Sequence, residues 1–426
     1  MSRVVPPRPY RWNFAMMGLD YSLFIAGLSF ASIYGVLPLF VRHLSTANLA
    51  LGALPALRAL GLLPPLFVAA YTERLVRKKP FLLGCTVFER VPYLALAVAT
   101  PLLVATRPAE LLWLLFAMLA LTTVAGGLAM PAWLDLLARM LPADWRGRFF
   151  GLAAALGGLL GVAGSAGAAA LLQRYGWSRG AALCFACTFG CLAVSFVCIT
   201  LGREPAPARA VAPPRRAGAW RRWPALVRHD RNLRGYLVAL ALLTSAGAAA
   251  PFYVVDAART LRLTDAAASR YAVVLLAATT LGNLLWGYVG DHGGHTRVLL
   301  GGALGTGLAA LAALATRAPA GGVLIYAGAF LLLGLGTSGL TLSAFTVIID
   351  LAPEAQRPTY VGLATMAQAP FAVGAPLVAA LLADRGGYPP VFAAAAALAL
   401  VGLVVARRGV RLVVGRQSSV VSGVDG

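Results

Sequence analysis

Four ionisable side chains stand inside long apolar runs: Asp20, Arg58, Glu89 and Arg90. A charge at the centre of a membrane helix costs roughly 2.5–3.5 kcal/mol unless it is paired or wetted. At about 1.5 Å of rise per residue, Asp20, Glu89 and Arg90 fall roughly 10–15 Å in from the membrane face nearer the termini, and Arg58 roughly 20 Å. The Arg58 side chain is long enough to reach toward the others. Glu89 and Arg90 are adjacent, so on a helix they point about 100° apart and do not face each other. The expectation is a near-neutral cluster, two acids and two arginines, joining three helices. The chemistry it would support is reversible binding of a proton or a cationic solute at Asp20 or Glu89, because arginine and burial pull a carboxylate in opposite senses. The competing reading is an ion-pair staple with no part in turnover.

Other patterns that mimic chemistry fail on context. Gly176-Trp177-Ser178-Arg179-Gly180 has the G-x-S-x-G spacing, but no strand precedes it, so a nucleophile elbow cannot form. Gly334, Gly336 and Gly339 fit G-x-G-x-x-G inside an apolar helix, where close packing explains them better than a dinucleotide. The only lysines, Lys78 and Lys79, do not follow glycine, so there is no P-loop. Cys184, Cys187, Cys191 and Cys198 form one helical stripe of small residues rather than a metal site. No catalytic residue, cofactor or metal is expected, and the chain is not read as an enzyme.

The elements that must carry these groups follow from composition. The chain is 60% hydrophobic and 12% charged, with a mean hydropathy of +0.79. About twelve apolar stretches have membrane-spanning length, and lipid forces such stretches into helices. The expected spans are 13–39, 47–71, 80–105, 109–134, 149–172, 178–201, 233–255, 267–290, 297–316, 321–348, 358–383 and 388–406. The net charge of +21 would suit nucleic acid. Sorting the basic residues by alternate loops instead puts about 25 on one side and about 9 on the other, the positive-inside pattern with both termini cytoplasmic. No nucleic-acid partner is expected; the basic and aromatic segment around Trp220 and Trp223 suits an anionic membrane surface.

Two internal echoes divide the chain. GYVGDHGGHTR at 287–297 places Gly287, Asp291 and Gly294 ahead of His295 and Arg297. About 218 residues earlier, Glu73, Arg77 and Lys79 occupy the matching positions, with Ala69 and Val76 replacing the glycines. After the fourth span, Arg146 and Gly151 are five apart; after the tenth, Arg357 and Gly362 repeat that spacing, with Phe149 and Tyr360 as the third step. The first echo resembles the signature loop between the second and third helices of each half in the major facilitator superfamily, and the second matches that family's connector.

The resemblance implies an all-α integral membrane protein: twelve transmembrane helices in two pseudo-symmetric six-helix bundles. The expected divisions are a first bundle at 1–202, a basic Pro- and Arg-rich linker with an interfacial helix at 203–232, a second bundle at 233–410 and a disordered tail at 411–426. Helices 1, 4, 7 and 10 would line the cavity. They carry Tyr21, Phe24, Thr122, Thr123, Thr244, Phe252, Tyr253, Thr337 and Ser338, each of which packing or a back-bonded hydroxyl would also explain. The third helix is peripheral in the family, which favours the staple reading for Glu89 and Arg90. The cytoplasmic gate would use Glu73, Arg77, Arg146, Gly287, Asp291, Gly294, Arg297 and Arg357, with an acid of one hinge pairing an arginine across the interface. Family exporters often carry a Gly-Pro pair in helix 5; this chain has none there.

The function expected is secondary active transport of a small amphipathic solute across an inner membrane, by alternating access, proton-coupled and tilted toward efflux or antiport. Its partners would be solute, protons and lipid, and the chain a monomer. An uptake symporter, a uniporter, or a non-transporting sensor or assembly protein on the same scaffold are the alternatives.

Overall fold

The computed structural model describes residues 8–205, 223–316, 322–353 and 357–409. All regular structure among them is helical. The first half holds α1 (Arg8–Phe30), α2 (Val36–Leu44), α3 (Asn48–Ala59), a 3-10 turn at Leu60–Leu62, α4 (Pro64–Arg74), α5 (Lys79–Leu103), α6 (Pro108–Met140) and α7 (Ala143–Leu201). A short α8 (Trp223–His229) leads to α9 (Arg231–Gly247), α10 (Ala250–Thr260), α11 (Asp265–Gly293), α12 (His295–Ala315), α13 (Gly322–Leu351), α14 (Arg357–Gly386) and α15 (Tyr388–Gly409).

Among the described residues, nine helical segments are long and apolar enough to cross a membrane. One of them, Arg148–Leu201, has 54 residues and bends at Gly176 (φ 74°), so it crosses twice. The first two crossings are not among the nine, and each is broken. The first changes from α1 to α2 across 31–35, and the second is split at the 3-10 turn, where Pro64 opens α4. Proline removes a backbone donor and clashes with the preceding turn, so a break there is expected. With these two, the twelve crossings are complete.

The two hinges differ as their residues require. In the second half the chain turns on Gly294 alone (φ 85°), and α12 begins at the next residue. A side chain rarely adopts that conformation, which explains the glycine. The first half lacks it and spends 75–78 on the same reversal. Gly287, by contrast, faces open space, and the close approach falls at Gly290, against the His295 ring.

The two halves meet along α3 with α14 and along the first part of α7 with α11. Among the described residues, every cross-half hydrogen bond lies at the end away from the termini. Arg42 donates to Tyr388, Asn48 donates to Asp384 (2.8 Å), His43 Nε2 lies 2.5 Å from Asp265, and Arg270 donates to Gln173 (2.7 Å). The far end is therefore closed. Beneath it lies the largest apolar core, with Tyr253 packed on Phe330 and Phe392.

Candidate ion-coupling site

At mid-depth in the first half, α1, α5, α6 and the second part of α7 bury a polar knot. Arg90 is 4% exposed, and every one of its donor groups is occupied. Nε donates to the Leu192 carbonyl (2.9 Å), Nη1 to the Thr86 carbonyl (3.1 Å) and to Glu89 Oε2 (3.1 Å), and Nη2 to Ser195 Oγ (3.0 Å). Nη2 also approaches Asp20 Oδ1 at 3.6 Å. Asp20, 3% exposed, accepts from Ser195 Oγ on Oδ1 (2.6 Å) and from Trp133 Nε1 on Oδ2 (3.0 Å). Ser195 thus relays between guanidinium and carboxylate, and Trp133 fixes the carboxylate from α6. Glu89 lies against Gly126, where an added Cβ would meet Oε1 at 2.6 Å, so α6 makes room for it.

Two sequence expectations are corrected. Glu89 and Arg90 do pair: their Cα–Cβ vectors diverge, but the long, flexible side chains bend toward each other and close the gap. Arg58 does not join the cluster. It is exposed, within electrostatic range of the Tyr93 phenol, and among the described residues it forms no ion pair. It is the penultimate residue of α3, ahead of the 3-10 turn. The expected near-neutral set of four is therefore two carboxylates and one arginine, with one negative charge in excess when both acids are ionised.

The cavity candidates separate by burial. Tyr21 and Phe24 are half-buried on α1, and the Tyr21 ring lies 6.0 Å from that of Trp133. Phe252 and Tyr253 are instead fully buried in the far-end core and line no open space. Thr337 donates to the Leu333 carbonyl (2.8 Å) and Ser338 to that of Leu335 (2.9 Å), both back-bonded hydroxyls. Thr123 packs on Gly61, and Thr122 Oγ1 is buried without a hydrogen-bond partner. Thr244 accepts from Gln368 Nε2 (3.2 Å), a residue that sequence reading missed.

At the near end, Arg146 donates to the Ala138 carbonyl (2.5 Å) within its own half. Asp291, Arg77 and Arg297 are exposed, and Arg297 lies over Gly293. The side chains of Glu73 and Arg357, the linker at 206–222 and the tail lie outside the described residues. The acid–base pairs that form here were not foreseen. Lys78 Nζ meets Asp135 at 3.2 Å, and His295 Nδ1 meets Asp350 at 2.6 Å. Each ties the hinge to the end of the fourth helix of its own half. The signal was present: the stretches that end in the second echo, 135–151 and 350–362, each begin with an aspartate, Asp135 and Asp350.

A duplicated helical bundle, split by a seam closed at one end and holding buried ionisable groups, has the build of a polytopic carrier. The comparisons agree. The family model for the Major Facilitator Superfamily matches residues 19–256 and 235–419. Among solved structures, a variant of the nucleoside transporter NupG is 12% identical with a TM-score of 0.72, covering 95% of this chain and 100% of that one. A bacterial homologue of the iron transporter ferroportin, inward-facing, is 13% identical with a TM-score of 0.67, covering 93% and 98%. A bacterial homolog of the human lysosomal transporter Spinster, inward-facing and occupied, is 14% identical with a TM-score of 0.66, covering 95% of each chain. At such identities the likeness is one of fold. No curated protein sequence matches. The chain belongs to the Major Facilitator Superfamily. It is a multi-pass membrane protein and a secondary transporter of small molecules, not an enzyme.

Proposed function

We propose that the chain is a proton-coupled transporter of a small amphipathic solute, with Asp20 and Glu89 sharing one exchangeable proton beside Arg90. The observation that carries this reading is the charge balance: two buried carboxylates face one guanidinium. In a membrane interior a net charge is costly, so the knot is neutral when one proton is bound and charged when it leaves. Asp20 has donors on both oxygens, whereas the contacts of Glu89 with Arg90 run through Oε2 alone. Coupling to solute runs through Tyr21 and Trp133. A solute stacked on these rings would shift the Trp133 donor to Asp20, and so change the affinity for the proton. Residues 1–202 and 233–410 would rock as two bodies around this path.

Half-buried aromatic residues on α1 suit an amphipathic compound. Such compounds enter cells through the bilayer unaided, so a carrier is needed chiefly for their removal; outward movement against an entering proton is the direction we adopt. The test is transport by purified protein in proteoliposomes under an imposed pH gradient. Asp20→Asn and Glu89→Gln, each measured for folded yield, should keep solute exchange and lose gradient-driven accumulation. Full gradient-driven accumulation in both variants would reduce the knot to a structural staple.

A further inference from the structure

Where the first part of α7 runs beside α11, a cavity of about 410 Å³ opens at the far end of the seam between the halves. Ala166 and Ala170 wall it from α7, and Val273 and Val274 from α11. Gln173 and Arg270 occupy the ends of those two helices nearest the far surface, and so form its rim. Arg270 is exposed, and its guanidinium donates to the neutral Gln173 Oε1 at 2.7 Å. The acid nearest to it in sequence, Asp265, is bound to His43. The guanidinium is thus positioned by a hydrogen bond but not neutralised. Asp265 opens α11, so Arg270 sits about 7–8 Å below the start of the helix. A transmembrane helix crosses the interfacial layer in its first turns, so this depth corresponds to the lipid headgroups, with the apolar walls below it toward the hydrocarbon region.

We propose that this crevice is a binding site for one anionic phospholipid of the leaflet away from the termini. The phosphate sits on Arg270, and an acyl chain fills the groove between α7 and α11. Charge complementarity selects the headgroup, and the apolar wall requires the chain, so a soluble phosphate is a poor substitute. The two walls belong to different halves, and opening the far end would part them. A lipid held here therefore binds the far-end-closed state more tightly and, by linkage, favours it. The site needs nothing from the proton reading above.

The experiment is native mass spectrometry of the purified full-length protein, titrated with phosphatidylglycerol or phosphatidylcholine, with thermal stability recorded for each variant. Wild type should retain phosphatidylglycerol over phosphatidylcholine by about fivefold, the value of one arginine at a lipid surface. Arg270→Gln should remove that preference. Gln173→Ala, which breaks the cross-half bond but keeps the charge, should preserve it. Val274→Trp should fill the groove and lower retention of both lipids. Equal retention of the two lipids by wild type would overturn the proposal, as would an unchanged preference in Arg270→Gln. Competition by millimolar glycerol phosphate would also overturn it, by making the site one for soluble anions.

Discussion

At the scale of single residues, Arg90 is the centre of the buried knot, and its removal strands two carboxylates. Arg90→Leu should lower stability by about 3–5 kcal/mol, the usual cost of orphaning a buried charge. Thermal unfolding in detergent would read this, and adding Asp20→Asn and Glu89→Gln should restore much of the loss. Trp133 makes a different contribution. Trp133→Phe keeps a ring near Tyr21 but removes the donor to Asp20 Oδ2. Hydrogen bonds to charged groups contribute about 1.5–3 kcal/mol, so proton-driven accumulation should fall about tenfold or more while passive exchange holds. A Trp133→Phe variant with unaltered coupling would disconnect the solute path from the knot.

At the scale of elements, the seam depends on small residues. A Cβ on Gly52 would lie 2.4 Å from the Pro376 carbonyl oxygen, so α3 and α14 touch backbone to side-chain-free backbone. Gly52→Leu should push the two helices apart and open the far end. Accessibility of a cysteine introduced at Ala50, which is buried on α3 and takes no part in the polar closure, to a membrane-impermeant thiol reagent would report this against the Ala50→Cys background. Gly84→Ala is the matched control, because nothing lies within 4 Å of its added Cβ.

At the scale of the whole molecule, the cross-half contacts gather at one end. Arg42, Asn48, Asp384 and Tyr388 form one node of that closure, and His43 with Asp265 forms another. Asn48→Ala removes the shared acceptor of Arg42 and the donor to Asp384. It should shift the balance toward far-end opening by about 1–3 kcal/mol, as the loss of two cross-half hydrogen bonds implies. Distances between spin labels on the two halves would measure it, and an unchanged distribution would show that the node does not hold the end shut. The near-end pairs, Lys78 with Asp135 and His295 with Asp350, stay within their halves. They stiffen each half as a body and do not bar the seam.

Much of this was legible in the chain alone. Hydropathy dictates the crossings, because apolar runs in lipid have no alternative to helix, and the echoed turns at 71–80 and 287–297 reveal the duplication. The burden of charge at Asp20, Glu89 and Arg90 was equally visible, since polar residues in such runs stand out singly. What the linear order could not supply was which side chains meet. Ser195 and Trp133 are unremarkable in sequence and become part of the knot only when four helices converge on it. Arg58 looks like a member of the knot in sequence, and the packed helices leave it exposed and outside it. Pairing in a helical bundle is decided by rotation and register between helices remote in sequence, and only the packed tertiary structure specifies those.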